Sequence, residues 1–232
     1  MEISIERVAD GTVVLITMDD GKVNALSKAA IADLTAAIDD AEQDPSVVAA
    51  VLAGREGKFS AGFDLNVMRS GDYAAIVDLV ADGGDFVRHV YRTGLPVVAA
   101  CTGHALAAGA LTLLGCDLRV GARGPFKIGV NEVSIGMALP NWAMTICRER
   151  LSKRHLQRAV ATARITDAEA AIDVGFLDIA VEPDDVVSRA IEEAAGFAAL
   201  DRAAYAATME HFRGDVARTM AAQIEADRES VL

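Results

Sequence analysis

The chain has 232 residues, 52% of them hydrophobic, which is enough to bury the core of a single α/β domain. Its formal net charge is −12, and its lysines and arginines are scattered singly, which argues against nucleic acid as a partner. It has no run of about 18 uninterrupted apolar residues, and its first residues, MEISIERVAD, lack the regions of a secretion signal, so we predict a soluble, cytoplasmic protein with no membrane partner.

The N-terminal segments predict a hairpin followed by a crossover helix. ISIERV and VVLITM are rich in β-branched residues and are separated by the turn signal Asp10-Gly11. From Ser27, a plausible N-cap by residue type, apolar positions recur at helical spacing while acidic residues take the other face.

The middle of the chain alternates strands and helices, which is typical of a parallel sheet. The apolar runs VVAAVLAG and PVVAACTG suit strands covered on both faces, with a helix over residues 72–93 between them. They precede a helix over residues 107–114, the strands LRVGA and PFKIGV, and a long helix whose first residue is Pro140.

Beyond residue 160 the pattern becomes mainly helical. Thr166 and Glu169 form a capping-box pattern that begins a short helix ended by Gly175, LDIAV is a strand, and Pro183 opens a further helix. The remaining alanine-rich segments carry too little apolar bulk for a second core. We predict that they pack on the domain or on neighbouring subunits.

The cysteines and histidines form no disulfide or metal-binding pattern. Cys101, Cys116 and Cys147 are odd in number, lie in apolar surroundings and form no CxxC pair, so we predict core thiols and no metal site. His104 is the only histidine near a glycine-rich segment, and we predict a structural role for it.

Three segments stand out as candidates for chemistry: KFSAGFDL, TGHALAAGALTLLGCD and IGVNEVSIGMALPNW. In the first two, a strand ends in glycine and alanine residues that lead into a helix, which leaves backbone N–H groups unpaired. Two such turns facing each other would bind one oxygen. The alternative is that glycine and alanine merely allow tight packing between strand and helix.

With the third segment included, residues from about Val13 to Val181 resemble the crotonase (enoyl-CoA hydratase/isomerase) superfamily. The resemblance implies an α/β fold with a crotonase-like spiral of ββα units over residues 1–180 and a C-terminal helical region over residues 181–232. It also implies that the backbone N–H groups of Phe63 and Ala108 bind the thioester oxygen of an acyl-CoA substrate.

Two departures from the family pattern bear on the site. Ala108 stands where the family usually has glycine, which bears on the backbone geometry of the oxyanion hole. Leu111 stands where enoyl-CoA hydratases carry the first of two glutamates, whereas the second is present as Glu132. Mitochondrial-type Δ3,Δ2-enoyl-CoA isomerases, which this stretch also resembles, likewise keep one glutamate.

The resemblance therefore implies an isomerase in which Glu132 is the single acid and base. We predict that burial among apolar neighbours raises the pKa of Glu132; these neighbours are Val130, Val133, Ile135 and Met137. One alternative is an enoyl-CoA hydratase or another crotonase-type enzyme, with Asn131 or a water as its second group. The other is a catalytically weak acyl-CoA-binding protein.

The resemblance also implies the residues that contact substrate. The loop GKVNALS and the segment KFSAGFDL would face each other across coenzyme A, with Lys22 or Lys58 near a phosphate. The implied contacts are Val23, Ala25, Leu26, Ser60, Ala61, Gly62 and Leu65, with Asp64 capping the next turn. The implied acyl-chain walls are Phe63, Leu111 and Trp142. No cofactor is implied, because coenzyme A is part of the substrate, and the family implies a homotrimer or hexamer.

Overall fold

A computed structural model of the chain describes residues 1–229. In that range the strands are β1 (Glu2–Val8), β2 (Val13–Asp19), β3 (Ala25–Leu26), β4 (Ala49–Gly54), β5 (Gly57–Ser60), β6 (Gly62–Phe63), β7 (Val97–Cys101), β8 (Gly103–Leu106), β9 (Leu118–Ala122), β10 (Ile128–Gly129) and β11 (Ile179–Val181). Residues 230–232 of the predicted C-terminal region lie outside the described residues.

The α-helices in the same range are α1 (Lys28–Gln43), α2 (Leu65–Met68), α3 (Tyr73–Arg92), α4 (Ala108–Gly115), α5 (Asn141–Arg150), α6 (Leu156–Val160), α7 (Ala168–Val174), α8 (Val186–Gly196) and α9 (Arg202–Glu229). Short 3₁₀ turns lie at Glu132–Ile135, Pro183–Asp185 and Phe197–Ala199. No helix within residues 1–229 is long and apolar enough to cross a membrane.

Six strands form the larger sheet, in the order β1-β2-β4-β7-β9-β11. β1 and β2 pair antiparallel with Val8 opposite Val13, which confirms the predicted hairpin. The other neighbours in this sheet pair parallel. The predicted start of α1 is also confirmed, because the Ser27 hydroxyl accepts a hydrogen bond from the Ala30 N–H at 3.2 Å.

A smaller parallel sheet has the order β10-β8-β5. The chain reaches it through a repeated unit, in which a strand of the larger sheet is followed by a strand of the smaller sheet and then by a helix. The first unit contains β4, β5 and α3, the second contains β7, β8 and α4, and the third contains β9, β10 and α5. This arrangement confirms the predicted α/β fold of ββα units.

Helices cover both faces of the larger sheet. Along β4, Ala50 and Leu52 face the main core, whereas Ala49 and Val51 face a second apolar layer. That second layer is closed by α8, whose buried residues are Val186, Ala190 and Ala194. Both faces of β4 are therefore buried, which explains why its sequence is a continuous apolar run.

The C-terminal helix α9 packs against α3 and α5, and Met220 and Ile224 lie in the main core. A buried ion pair fixes its first half, since the Arg213 Nη2 lies 2.9 Å from the Asp117 Oδ1 and the two side chains are 6% and 9% exposed. Tyr205 donates a 2.7 Å hydrogen bond to the same carboxylate oxygen. Within residues 1–229 this helix therefore packs on the domain, which is one of the two placements predicted for the segment, and contact with neighbouring subunits stays a prediction.

Three predicted boundaries differ from the structure. Pro140 is the N-cap of α5 rather than its first helical residue, and the segment PFKIGV is a strand only at Ile128–Gly129. The predicted capping box at Thr166 is wrong. Its hydroxyl instead donates a 2.9 Å hydrogen bond to the Ile128 carbonyl. Asp167 takes the N-cap position, and its carboxylate accepts a backbone N–H from α7.

Candidate active site

The three segments that the sequence marks leave the smaller sheet at one edge. β5 ends at Ser60, β8 at Leu106 and β10 at Gly129, and the three strands are parallel neighbours. The residues that emerge side by side at this edge are 61–63, 107–108 and 130–132. A 3.1 Å hydrogen bond from the Ala107 N–H to the Gly129 carbonyl joins the second and third exits.

Two glycines allow the first two segments to touch. A Cβ built on Gly62, where φ is +97°, would lie 3.3 Å from the Ala108 nitrogen. A Cβ on Gly109 would lie only 2.3 Å from the Ser60 carbonyl oxygen, so glycine at this position lets α4 begin against the end of β5. The sequence alone does not single out Gly109. The backbone segment that carries the Phe63 amide is therefore in contact with the backbone segment that carries the Ala108 amide.

The helix α4 begins at Ala108, so this residue's N–H is among those that a helix leaves without an intrahelical acceptor. Its neighbour Ala107 has φ +51° and ψ −126°. The positive φ therefore falls on Ala107 and not on Ala108, the residue that departs from the family's glycine. Such a conformation costs alanine about 1–3 kcal/mol.

We expect Ala107→Gly to raise the free energy of unfolding by about 1 kcal/mol, because glycine adopts a positive φ without a Cβ clash. Urea denaturation measures the change. Ala161→Gly is the matched control, since φ is −73° there and the same substitution should lower stability. A position-107 variant no more stable than the wild type would contradict the assignment of strain to Ala107.

Glu132 is the first residue of the 3₁₀ turn that follows β10. Its side chain is buried, with the residue 8% exposed, and this burial raises its pKa, opposed in part by a hydrogen bond from its own backbone N–H. Among the described residues, Oε2 of Glu132 has no hydrogen-bond partner. A carboxylate in this setting is more basic than an ordinary glutamate and is suited to accept a proton from carbon.

The apolar surroundings of Glu132 differ in part from those predicted. Val130 is fully buried, but Val133 and Ile135 are 46% and 57% exposed, so the prediction that these two bury the carboxylate is wrong. Burial, and then the nearby Glu132 charge, raises the pKa of the Cys147 thiol of α5, which shows that α5 lies close to the carboxylate.

A cleft of about 360 Å³ opens beside the first segment. Its walls include four of the predicted coenzyme A contacts, namely Val23, Ala25, Ala61 and Leu65. Val23 and Leu65 are 41% and 54% exposed, and exposed apolar side chains on a concave surface suit an apolar part of a ligand. The other residues of the wall are Met1, Asp20, Lys22, Ser27, Phe63, Asp64 and Asn66.

Two side chains that the motifs do not reveal, Asp20 and Asn24, hold the loop beside this cleft, and Asp20 itself lines the cleft. Asp20 accepts hydrogen bonds of 2.7–3.0 Å from the backbone N–H groups of Lys22, Asn24 and Ala25. Burial acts to raise the pKa of Asp20, but these backbone hydrogen bonds together outweigh it and lower the pKa. Asn24 is fully buried, and its side chain donates to the carbonyls of Met18, Lys58 and Phe59. The turn-forming residues in DDGKVN are the signal that would have found this pair.

Further hydrogen bonds attach the first segment to that loop. The Ser60 hydroxyl donates to the Asn24 carbonyl at 2.7 Å and accepts from the Gly62 N–H at 3.1 Å. The Asp64 N–H donates to the carbonyl of Leu26, a residue that is itself buried. The Asp64 carboxylate accepts from the N–H of Asn66 at 2.9 Å, which confirms its predicted role as the cap of α2.

The histidine and cysteines of the sequence analysis have structural positions. The His104 Nδ1 accepts the Lys127 N–H at 2.9 Å, and its ring lies edge-on to Phe126 with centroids 5.4 Å apart, as expected for a structural histidine. The predicted core thiols are confirmed, because all three cysteines are free and buried. Within residues 1–229, His, Cys, Asp and Glu side chains form no group of three that could hold a metal ion.

Almost the whole chain matches one family. A family model described as enoyl-CoA hydratase/isomerase matches residues 9–231. The chain belongs to this family. The resemblance that the three segments carry is thereby confirmed, and the paired exits of β5 and β8 are the places where the family resemblance puts the oxyanion hole.

Relatives of this family member include enzymes named for two reactions. Human mitochondrial enoyl-CoA delta isomerase 1 is 28% identical over 225 residues, which are 96% of this chain and 74% of the human protein. Matches to the mouse and rat isomerases span 65% of those proteins. The structure of human mitochondrial Δ3-Δ2-enoyl-CoA isomerase is 27% identical with a TM-score of 0.93, covering 99% of this chain and 90% of that one.

Two structures of one and the same Mycobacterium tuberculosis protein are each 39% identical to this chain, and they are described by different activities. One is described as a probable enoyl-CoA hydratase, with a TM-score of 0.93 and coverage of 99% of this chain and 95% of that one. The other is described as an enoyl-CoA isomerase, with a TM-score of 0.90 and coverage of 97% and 96%. Similarity therefore establishes the family and the fold and leaves the specific reaction to the chemistry of the site.

Two of the predicted acyl-chain walls of this family member lie in the interior. Leu111 and Trp142 are 1% and 0% exposed, and neither lines the cleft. The Trp142 ring packs on Gly84 of α3, close to Ile224 of α9. Their contact with an acyl chain stays a prediction, and of the three proposed walls only Phe63 lines the cleft.

Proposed function

We propose that this family member is a Δ3,Δ2-enoyl-CoA isomerase in which Glu132 is the single acid and base. The observation that carries the proposal is one buried carboxylate at the exit of β10, with Leu111 in α4 where a hydratase has its other glutamate. Shifting a double bond needs one base. Hydration needs groups that hold and deprotonate water and also protonate the α carbon.

The proposed reaction has two proton transfers. The thioester oxygen of 3-enoyl-CoA accepts hydrogen bonds from the Phe63 and Ala108 amides. Glu132 removes a proton from C2, and the electron pair of that C–H bond delocalises into a dienolate whose charge rests on the thioester oxygen. The same carboxyl group returns the proton at C4, which leaves the double bond between C2 and C3.

The cleft is the proposed place for the coenzyme A arm. Val23 and Leu65 supply apolar contacts, and Lys22 supplies a positive charge for a phosphate group. The reaction as written uses no cofactor, because coenzyme A is part of the substrate. The homotrimeric or hexameric assembly and the cytoplasmic location stay predictions on which this mechanism does not depend.

The second candidate function is enoyl-CoA hydratase, and one observation favours it. The side-chain oxygen of Asn131, next to Glu132, is buried without a hydrogen-bond partner among the described residues. Such an oxygen is suited to hold a water. Spectrophotometric assays with 3-enoyl-CoA and with 2-enoyl-CoA decide between the two, and we expect isomerisation to be faster. Faster hydration would overturn the isomerase, and binding without either turnover would identify an acyl-CoA-binding protein.

Leu111→Glu is expected to introduce measurable hydration of 2-enoyl-CoA, because it supplies the acid at the position where hydratases carry one. Leu111 is buried, so the new carboxylate also lowers stability, and a thermal melt must first show that the variant folds. Leu111→Gln is the control, because the glutamine side chain has nearly the shape of glutamate but cannot act as an acid or base. Equal hydration rates in a folded Glu variant and the Gln variant would contradict the missing-acid interpretation.

A further inference from the structure

The buried face of α3 contains a glycine pair, Gly83 and Gly84, within a 20-residue helix. Each glycine inside a helix lowers stability by about 1 kcal/mol relative to alanine, so we expect another interaction or a function to account for the two glycines. Aromatic rings pack on both. A Cβ on Gly83 would lie 2.3 Å from Cε1 and Cζ of Phe63, and a Cβ on Gly84 would lie 2.9 Å from Cε2 of Trp142.

The contact at Gly83 concerns the oxyanion hole because Phe63 supplies one of its proposed amides. The backbone around Phe63 is also held by two 3.1 Å hydrogen bonds, from the Gly62 N–H to the Ser60 hydroxyl and from the Asp64 N–H to the Leu26 carbonyl. The backbone is thus tied to β3 and β5 while the ring lies on α3. Together these contacts determine the direction of the Phe63 N–H.

We propose that Gly83 is a positioning residue of the oxyanion hole. Because Gly83 has no side chain, the Phe63 ring packs directly on the backbone of α3, and this packing directs the Phe63 N–H toward the substrate oxygen. The inference rests on the proposed function for the role of that amide. A methyl group at 83 would require the ring to move by about 1 Å to reach an ordinary contact distance of 3.4 Å. Misplacement of a catalytic group by about 1 Å costs on the order of a hundredfold in rate.

The first test is Gly83→Ala, assayed with 3-enoyl-CoA. We expect kcat to fall by about 10- to 100-fold with KM within about threefold of the wild type, because the substitution displaces only the Phe63 ring and leaves the other residues that line the coenzyme A cleft unchanged. Gly196→Ala is the matched control within a helix, since a Cβ there meets nothing within 4 Å, and its kcat should equal that of the wild type. Thermal melts establish that each variant is folded.

The second test is rescue through the ring. Leucine lacks the outer ring atoms that a methyl at 83 would strike, so Phe63→Leu should tolerate Gly83→Ala, with kcat of the double variant within about threefold of the Phe63→Leu single variant. An unchanged kcat in Gly83→Ala would overturn the inference. If Gly83→Ala lowered kcat equally with and without the Phe63→Leu substitution, the inference would also be overturned, because the effect would then not pass through the ring.

A third measurement separates this inference from the proposed reaction. Loss of the acidic C2 proton from 3-oxoacyl-CoA gives an enolate that absorbs in the near ultraviolet, and we expect the oxyanion hole to stabilise that enolate without turnover. We expect a strong enolate band in the wild type and a weaker one in Gly83→Ala. If the wild type showed the band and no isomerisation, the reaction assignment would fail while the positioning role could still be judged. Equal bands in the two proteins would overturn the positioning role.

Discussion

Replacing Glu132 by glutamine is expected to lower kcat for isomerisation of 3-enoyl-CoA by about a hundredfold or more, in line with general-base contributions. Glutamine keeps the shape of the side chain and removes the base, so the affinity for acyl-CoA should stay within several-fold of the wild type. Steady-state kinetics and equilibrium binding measure the two effects. A glutamine variant that isomerised at nearly the wild-type rate would contradict the assignment.

The pH dependence provides an independent check on Glu132. Burial raises the pKa of Glu132, and the carboxylate must be ionised to take the α proton. As the pH is lowered, kcat/KM of the wild type should therefore begin to fall at a higher pH than it would with an ordinary glutamate as the base. Glu132→Gln should lack that acid limb. The control is Glu192→Gln, whose side chain is 75% exposed, and it should retain both the rate and the limb.

Stability separates the loss of the base from a loss of folding. The pKa of Glu132 is raised in the folded state, so its contribution to stability is greatest below the unfolded-state pKa and is lost as the pH rises through the folded-state pKa. At neutral pH, where a glutamate of the unfolded chain is ionised, burial of Glu132 therefore lowers stability, and glutamine removes that cost. The variant should be at least as stable as the wild type in urea denaturation at neutral pH.

Arg213→Met is expected to lower the free energy of unfolding by about 3–5 kcal/mol, because it leaves the buried Asp117 carboxylate without its cation. The loss includes a 3.1 Å hydrogen bond to the Tyr91 carbonyl and the packing of the guanidinium over the Tyr91 ring, 4.8 Å from its centroid. Urea denaturation at neutral pH measures the change. A decrease of less than about 1 kcal/mol in the free energy of unfolding would contradict this expectation, because it would equal the contribution of a solvent-exposed ion pair.

Two further variants sharpen this measurement. Arg218→Met removes a cation from the same helix, but Arg218 is 65% exposed in its ion pairs with Glu210 and Asp215, so we expect little change in stability. Asp117→Asn combined with Arg213→Met removes the uncompensated charge. The double variant should lose less stability than the sum of the two single variants, and strict additivity would contradict a coupled pair.

Most of the fold was predictable from local patterns. The apolar runs of β4 and β7 indicated strands buried on both faces, and Ser27 marked the start of α1, because these features depend on neighbours in sequence. Of the three boundaries that differ, Thr166 shows the limit of local patterns most clearly. Its hydroxyl binds β10, 38 positions earlier in the chain, and a contact at that separation leaves no local pattern to detect.

For the candidate site as well, the sequence predicted some features and only the structure revealed others. The identities of Phe63, Ala108, Leu111 and Glu132 followed from motifs, and family membership is shown, whereas their individual roles stay predictions. Contacts across the fold were not visible in the motifs. These include Gly109 against Ser60, Gly83 against the Phe63 ring, and Asn24 against the end of β5.

The sequence by itself determined which chemical groups are present: one glutamate in the third segment, leucine where a second acid would stand, and small residues at two strand-to-helix turns. The tertiary structure decided which of these groups meet. Parallel pairing of β5, β8 and β10 brings the three exits to one edge, and burial raises the pKa of Glu132. The physical reason is that hydrophobic periodicity is local, whereas desolvation and close backbone approach depend on atoms contributed by distant parts of the chain.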